Sequence, residues 1–463
     1  MACERIKNVI VGSGEGGKYL AWHLAEAGEQ TFVVERKWIG GACPNTNCLP
    51  SKNEIWSAKV VSLIDHAAQF GANPGPVSID MTAVLRRKRE MVDGLIKIHL
   101  DRYKATGAEL IMGSATFTAP RTLHVQLNDG GTRTLLGERV FLNLGTRAAL
   151  PNTPGLAEAR PLTHIEMLEL DDVPQHLIVI GGGYVGLEFA QAYRRFRSRV
   201  TIIQHNSQLL AGQDADVVSD VSRILAADGI EIITSAEIIA VQGRSGAGVR
   251  LQVRTPERET IIEGTDILVA AGRTPNTGGI GLELAGVQTD SRGYLKVNER
   301  LETTAPQVWA IGECAGSPQF THVSQDDFRI IRDNLAGKSR TTRDRVIPSC
   351  LFIDPQVAHI GLTENDAKRS GLAVRIAKLP TAAVLRTRTI DETVGFIKAL
   401  IDPKNDRILG FTMIGPEAGE VMGVVQIAML AGLPFTALRD AIFAHPTMAE
   451  GLNALFASIH PAA

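Results

Sequence analysis

The feature that most constrains the fold is a unit of strand, glycine turn, helix and strand that occurs twice. The two copies read "KNVIVGSGEGGKYLAWHLAEAGEQTFVVER" and "HLIVIGGGYVGLEFAQAYRRFRSRVTIIQH". In each, the spacing Gly-x-Gly-x-x-Gly permits a tight turn, an approach of the backbone to a pyrophosphate, and close helix packing. The helix N-terminus favours phosphate. The sequence therefore predicts an α/β chain with two Rossmann-like dinucleotide-binding domains, whose turns contain Gly12, Gly14, Gly17, Gly181, Gly183 and Gly186.

Composition excludes several classes of function. With 463 residues and 44% apolar content, the chain has room for about three domains. It has 48 basic and 50 acidic residues and lacks long basic runs, which argues against nucleic acid and membrane-surface partners. The longest apolar stretch, 421–438, is interrupted by Gln426, Gly432 and Pro434, so it predicts a buried helix. No signal-peptide segment precedes the first strand, and we expect the cytoplasm.

The second strand of each copy ends in a residue that predicts the nucleotide bound there. Glu35 ends the first copy and is placed to bind the ribose hydroxyls of a dinucleotide. The second copy has Gln204 at that place, followed by His205. Because a neutral amide does not repel a 2′-phosphate, this copy favours NADPH, with NADH possible. A cysteine pair directly follows the first copy, where the reactive end of its dinucleotide would lie, and a flavin suits that position. We therefore expect FAD in the first copy.

The cysteine pair lies in "GGACPNTNCLPSK", where Cys43 and Cys48 precede a predicted helix. Five cysteines in so long a chain do not form a disulfide framework, so a disulfide here is expected to be functional. The helix N-terminus lowers a thiol pKa and favours the thiolate, which attacks disulfides and binds soft metals. A zinc site is disfavoured because no second pair has ligand spacing. Two buried structural cysteines are the alternative.

Five stretches, in this order along the chain, resemble one family. They are "GGACPNTNCLPSK", "GGGYVGLE", "AGRTPNT", "VWAIGECAG" and "AHPTMAEG". Together they resemble the flavoprotein pyridine nucleotide-disulfide oxidoreductases, the group of glutathione reductase, dihydrolipoamide dehydrogenase and mercuric reductase. The stretches "CAGSPQF", "FIDPQVAHIGLTE", "GPEAGE" and "TMAEGL" are most similar to mercuric reductases. The resemblance implies an FAD domain in two parts (1–150 and 273–343), an NAD(P) domain (151–272) and a C-terminal α+β dimerisation domain (344–463).

The resemblance also implies roles for single residues. Cys48 would form the thiolate against the flavin, and Cys43 would exchange with the substrate. Lys52 would lie near the flavin and pair with Glu188, although the sequence alone shows only a cation and an anion on two helices. Tyr184 would cover the nicotinamide face until the nucleotide displaces it, with a packing role as the alternative. Further cofactor-binding residues would be Gly145, Gly272, Arg273, Gly312 and Glu313.

"HPTMAE" contains the other catalytic candidates. His445 and Glu450 resemble the family's histidine–glutamate dyad, in which the carboxylate orients an imidazole that moves protons to and from the thiols. Imidazole suits acid–base work near neutral pH. In the family this histidine reaches the disulfide of the partner subunit, which implies a homodimer with a shared active site. Without the resemblance, His445 is a turn residue before Pro446.

Two positions depart from the family pattern. Asn47 stands where glycine is usual, and we expect it at positive φ, because asparagine is the commonest non-glycine residue there. Glu313 replaces an aspartate and can still accept hydrogen bonds from the flavin's ribityl chain. Neither change removes a chemical function.

The identity of the electron acceptor divides the functional hypotheses. The main one is transfer from NAD(P)H through flavin and Cys43–Cys48 to a small-molecule or protein disulfide, favoured by the dyad. Reduction of Hg(II) is favoured by the mercuric reductase-like stretches and by soft-metal affinity for thiolates. Against it, the tail "ASIHPAA" has no cysteine pair, no metal-binding domain precedes residue 7, and mercuric reductases typically have tyrosine where His445 stands. Dihydrolipoamide dehydrogenase activity as a subunit of a larger complex is the third hypothesis.

Overall fold

A computed structural model describes residues 3–343 and 345–459, so the last residues of the tail "ASIHPAA" lie outside the described residues. The strands are β1 Cys3–Val11, β2 Thr31–Glu35, β3 Glu109–Ala119, β4 Thr122–Leu127, β5 Thr132–Leu142, β6 Thr146–Ala148, β7 His176–Ile180, β8 Arg199–Ile203, β9 Glu231–Ile233, β10 Glu237–Arg244, β11 Gly248–Arg254, β12 Glu259–Gly264, β13 Asp266–Val269, β14 Arg273–Pro275, β15 Val308–Ala310, β16 Pro348–Leu351, β17 Gln356–Gly361, β18 Arg375–Pro380, β19 Phe396–Ile401 and β20 Ile408–Gly415. The helices are α1 Glu15–Glu26, α2 Ala42–Asn45, α3 Cys48–Asp65, α4 Met81–Thr106, α5 His164–Met167, α6 Tyr184–Arg195, α7 Ala215–Ala227, α8 Leu282–Ala285, α9 Thr321–Leu335, α10 Glu364–Arg369, α11 Leu385–Thr389, α12 Ala418–Leu430, α13 Phe435–Arg439 and α14 Gly451–Ala457.

The first glycine unit forms the centre of a six-stranded sheet. β1 pairs in parallel with β2 and β5, and β15 adds to β5 in parallel. The C-terminal half of β1 is buried on both faces, as an apolar parallel strand requires. Gly12 follows β1 at φ 99°, and a Cβ there would collide with the carbonyl of Asn143, so only glycine fits. The turn after β1 is thereby pressed against the end of β5.

The second unit builds a four-stranded parallel sheet in the order β13, β7, β8, β9. The antiparallel strands β10, β11 and β12 form a separate three-stranded sheet beside it. Gly181 follows β7 at φ 112°, and a Cβ there would collide with the carbonyl of Ala270. Glycine is therefore required at this turn as it is at Gly12. The two units thus present equivalent turns at the carboxyl ends of parallel strands, where such folds bind nucleotides.

The C-terminal part is an antiparallel five-stranded sheet in the order β16, β17, β20, β19, β18, covered by α12 and α14. The apolar stretch 421–438 forms most of α12 and α13, as predicted, while Ile427 and Leu430 of α12 stay more than 60% exposed. None of the helices in 3–343 and 345–459 has the length and apolar character needed to cross a bilayer. The predicted fold class, two Rossmann-like domains and a C-terminal α+β domain, is confirmed. The exact domain boundaries stay predictions.

Candidate active site

A cavity of about 1070 Å³ lies between the two glycine turns and collects most of the predicted site residues. A second cavity, of about 770 Å³, extends from the second turn towards β8 and β11. Both cavities are lined by Gly183 and Ala270, so they meet at the second turn. The larger cavity is lined by Gly12, Gly14, Glu35, Cys43, Cys48, Lys52, Gly145, Gly183, Tyr184, Glu188, Gly272, Arg273 and Glu313. The second is lined by Gly181, Gly183, Gln204 and His205.

Some predicted residues line neither cavity. Gly17 and Gly186 pack their helices against the carbonyls of Gly12 and Gly181, which leaves no room for a Cβ. Gly312 lies against Ser324. These three glycines therefore allow close packing behind the cavity walls and do not face the cavities themselves. His445 and Glu450 also lie outside both cavities.

The cysteines lie on two consecutive helices, α2 and α3. Cys43 is in α2, and Cys48 is the first residue of α3, where the helix N-terminus favours negative charge. Both are thiols in this structure. A hydrogen bond from Cys43, followed by Thr321 and the charge of Lys52, lowers the pKa of Cys48 to about 6 against the opposing effect of burial. The same hydrogen bond, with burial, raises the pKa of Cys43. These opposite shifts favour the thiolate at Cys48 and the protonated thiol at Cys43.

The expectation of positive φ at Asn47 is wrong. This residue has φ −124° and ψ −104°, and the preceding Thr46 has φ −138°. The peptide N–H of Asn47 donates to the carbonyl of Ala42 at 2.9 Å, while its own carbonyl accepts from Ser51 at 3.1 Å. The four-residue α2 and the longer α3 therefore join without a left-handed residue.

A partly buried ion pair connects α3 with α6. Lys52 Nζ lies 2.6 Å from Glu188 Oε2, and the other oxygen of Glu188 accepts from the N–H of Phe352 at 2.9 Å. The ammonium also lies 4.8 Å from the centre of the Phe352 ring. Three segments distant in sequence are thereby fixed around one cation. The structure brings together the predicted pair and places it beside Cys48.

The residues present fit a flavin dinucleotide. The open sides of Gly145, Gly183 and Gly272 have no protein atom within 4 Å of a hypothetical Cβ, and all three line the larger cavity. Glu313 also lines it and holds Arg273, with 3.3 Å between its Oε2 and the guanidinium Nε. The cavity thus offers glycine backbone for close approach, a carboxylate and a fixed cation, as a dinucleotide requires.

Glu35 has a task that the sequence did not indicate. Its carboxylate accepts hydrogen bonds from both the N–H and the hydroxyl of Ser13, and from the N–H groups of Lys37 and Trp38, at 2.8–3.0 Å. A carboxylate offers about four acceptor positions. Glu35 therefore ties the glycine turn to the loop before the cysteines, and a ribose hydroxyl would compete with Ser13 for it.

Three further site residues were missed by sequence reasoning. Thr321, the first residue of α9, has its hydroxyl 3.1 Å from Cys48 Sγ. Ser349, in β16, accepts a hydrogen bond at its Oγ from the hydroxyl of Tyr184 at 3.1 Å. Asn143 accepts from Gly17 N–H and donates to the carbonyl of Ile311, which fixes the first turn. No spacing rule connects these residues to the motifs they support.

Comparison with known proteins identifies the family. Residues 6–327 match pyridine nucleotide-disulphide oxidoreductase, and residues 347–455 match the dimerisation domain of that family. The chain belongs to the pyridine nucleotide-disulphide oxidoreductase family. It is an enzyme, an NAD(P)H-dependent flavoprotein disulfide oxidoreductase that uses FAD and has a dimerisation domain.

Similar proteins cover the whole chain. A probable pyridine nucleotide-disulfide oxidoreductase, RclA of Escherichia coli, is 34% identical and covers 97% of this chain and 98% of its own. A dihydrolipoyl dehydrogenase of Thermus scotoductus is 32% identical, with 98% and 97% covered. A solved structure of RclA, described as a Cu(II) complex of an HOCl-induced flavoprotein disulfide reductase, superposes with a TM-score of 0.90 at 33% identity, covering 99% of this chain and all of that chain. The likeness to mercuric reductases stays a prediction.

The histidine–glutamate pair is formed, and it faces outwards. His445 Nδ1 lies 2.8 Å from Glu450 Oε2, and the imidazole is 65% exposed while the carboxylate is largely buried. The pair is therefore formed within one chain, and neither of its residues lines the cavity that contains Cys43 and Cys48. In an oligomer built through the dimerisation domain, this exposed imidazole is available to a partner subunit.

Proposed function

We propose that this enzyme reduces a disulfide-type acceptor with electrons that reach it through Cys43 and Cys48. The observation that carries the proposal is that Cys43 and Cys48 both line the cavity that meets the second glycine turn, with Cys48 Sγ 3.1 Å from the hydroxyl of Thr321 and its pKa lowered. When bound, FAD accepts hydride from the nicotinamide nucleotide and passes two electrons to the cysteine pair. The chain's own residues position the groups and manage protons.

Each residue near the pair then has a distinct task. Lys52 and Thr321 stabilise negative charge on Cys48, because the charge of one and the hydroxyl of the other face its sulfur. Cys43 is the sulfur that attacks the acceptor disulfide, and it must first lose its proton. His445 of the partner subunit takes that proton and returns it to the departing thiolate, with Glu450 of the partner subunit orienting the ring. Cys48 then attacks Cys43, which restores the Cys43–Cys48 disulfide and releases the second product as a thiolate that takes its proton from solvent.

The pH dependence of Cys48 is the first test of these tasks. The thiolate exists above its pKa, so the long-wavelength thiolate-to-flavin absorbance of the two-electron-reduced holoenzyme is expected at neutral pH and is lost as pH falls through about 6. Lys52→Met should move this midpoint upwards, because the ammonium lowers the pKa of Cys48. Lys97→Met, at an exposed position on α4, is the matched control. An unchanged midpoint in Lys52→Met would remove Lys52 from the thiolate's environment.

For the nucleotide, the proposal is NADPH in preference to NADH. Gln204 presents no charge to the cavity: its Oε1 accepts from Gly182 N–H at 2.9 Å, and its Nε2 donates to the carbonyl of Gln208 at 3.2 Å. A 2′-phosphate is therefore not repelled at this position.

The cytoplasm, which keeps thiols reduced, is the compartment proposed for a dithiol that must be regenerated.

The acceptor is tested with a panel. Oxidation of NADPH by the holoenzyme is measured with glutathione disulfide, lipoamide, oxidised thioredoxin-type proteins, quinones, Cu(II) and Hg(II). The proposal expects the highest kcat/KM with a disulfide and its loss in the Cys43→Ser variant. A higher kcat/KM with a quinone that survives Cys43→Ser would contradict it, since electrons would then leave without the cysteines.

A second candidate is reduction of a thiol-binding metal ion at the same pair. Thiolates bind soft metals, and RclA has a solved structure described as a Cu(II) complex. The dithiol holds two electrons, enough for one Hg(II) or two Cu(II) ions. Proton donation to a departing thiolate is not part of that chemistry. His445→Ala would therefore slow a disulfide reaction and leave a metal reaction nearly unchanged.

A further inference from the structure

The second cavity has a positively charged side chain, Arg254, at the end that would hold the adenosine. This residue does not belong to the segment after β8. The walls of the cavity include the turn 181–183 and the residues after β8, Gln204 to Asn206, where a Rossmann domain holds the ribose. The titratable residues of this wall are His205, Glu237 and Arg254. Arg254 is the last residue of β11, in the antiparallel sheet beside the nucleotide sheet.

We propose that Arg254 binds the 2′-phosphate of NADPH and that Glu237 sets how strongly NADPH is preferred. The first step of the argument is position: Arg254 shares the cavity with Gln204 and His205, so its guanidinium is available to the ribose side of the nucleotide. A guanidinium presents several donors in a plane that suits phosphate oxygens. The inference rests on the proposed use of NADPH.

The second step is the state of the guanidinium before the nucleotide binds. Arg254 pairs with Glu259 at 2.7 Å and with Glu237 at 3.3 Å, one on each neighbouring strand. All three side chains are about half exposed, and ion pairs of that kind contribute little because water screens them. A phosphate dianion can therefore replace one carboxylate. Glu237 is the one that lines the cavity, so it both competes for Arg254 and repels the phosphate.

The same strand provides a matched control. Arg250 lies four residues earlier on β11 and pairs with Glu263 at 3.0 Å, at similar exposure. It does not line the nucleotide cavity. Arg250→Ala therefore removes the same charge from the same strand as Arg254→Ala does, but it leaves the proposed phosphate site intact.

The test uses two probes that lack nicotinamide. Binding of adenosine 2′,5′-bisphosphate and of 5′-AMP to the holoenzyme is measured by calorimetry for wild type, Arg254→Ala, Arg250→Ala, Glu237→Gln and Glu259→Gln. We expect Arg254→Ala to weaken the bisphosphate about tenfold or more, the scale of one charged hydrogen bond, and to leave 5′-AMP unchanged. Glu237→Gln should tighten the bisphosphate more than Glu259→Gln does, and Arg250→Ala should change neither probe.

Flavin reduction by NADPH and NADH in stopped flow gives a second readout that requires no acceptor. An equal loss of affinity for adenosine 2′,5′-bisphosphate and 5′-AMP in Arg254→Ala, or no loss of affinity for either, would overturn the role of Arg254. If wild type prefers NADPH and Arg254→Ala keeps that preference, the cofactor proposal stands and this inference fails. If wild type prefers NADH while Arg254→Ala still binds the bisphosphate more weakly than wild type does, the phosphate site stands and the cofactor proposal fails.

Discussion

Replacing Cys48 by serine is expected to abolish disulfide reduction while leaving flavin reduction by NADPH intact. A hydroxyl at this position neither forms a disulfide with Cys43 nor carries the negative charge that Lys52 and Thr321 stabilise. The expected loss of kcat with the best disulfide acceptor is at least about 10⁴-fold, the scale seen when a residue of a covalent catalytic group is removed. Rapid-mixing absorbance separates the two half-reactions. The long-wavelength thiolate-to-flavin absorbance should disappear with Cys48→Ser.

Cys43→Ser distinguishes the two sulfurs. This variant should also fail to reduce disulfides, because the attacking sulfur is missing, yet it should keep the long-wavelength absorbance through the thiolate of Cys48. The matched control is Cys350→Ser, because Cys350 lines the same cavity and burial raises the pKa of its thiol to about 12. That variant should retain both half-reactions. Identical spectra for Cys48→Ser and Cys43→Ser would show that the inner and outer sulfurs have been assigned wrongly.

The parts of the fold that could be predicted from sequence are those determined by residues close together in the chain. Each glycine turn lies within one continuous unit, and the steric demand at Gly12 or Gly181 comes from a strand that any such unit must meet. The cysteine pair is equally local, since α2 and the start of α3 fix both sulfurs. These features needed no knowledge of distant segments, and their prediction was confirmed at the level of the fold and the family.

The parts that could not be predicted depend on segments far apart in the chain. Thr321 reaches Cys48 only because α9 begins at the larger cavity, and nothing in the neighbouring sequence signals this contact. Arg254 reaches the nucleotide cavity from a different sheet. Asn47 shows the converse: a single-residue argument from φ preferences failed, because α2 and α3 join without a left-handed position. Glu35 lines the larger cavity and its binding of ribose stays a prediction, while its hydrogen bonds to Ser13, Lys37 and Trp38 give it a structural task that the motif does not reveal.

The second large effect is expected for His445→Ala. If the acceptor is a disulfide, its departing thiolate needs a proton, and loss of a general acid costs about 10²–10⁴-fold in rate. Flavin reduction by NADPH should be nearly unchanged, while reoxidation by the disulfide slows by at least about 10²-fold. Glu450→Gln should lose less, because the imidazole remains but is held less well. Reoxidation of His445→Ala at the wild-type rate would favour a metal or quinone acceptor.

Whether the histidine acts on its own chain or on the partner can be decided with hybrid dimers. His445 is exposed and lies outside the cysteine cavity of its own chain, so we expect each complete site to combine Cys43 of one subunit with His445 of the partner subunit. In a dimer of one Cys43→Ser and one His445→Ala subunit, both lesions fall on the same site and the other site is intact. Co-expression of the two variants should therefore restore about one quarter of the wild-type activity, because about half of the dimers are hybrids with one working site of two. If both groups came from one chain, every site in the mixture would contain a lesion. Activity no higher than the mean of the two parent variants would then exclude a shared site.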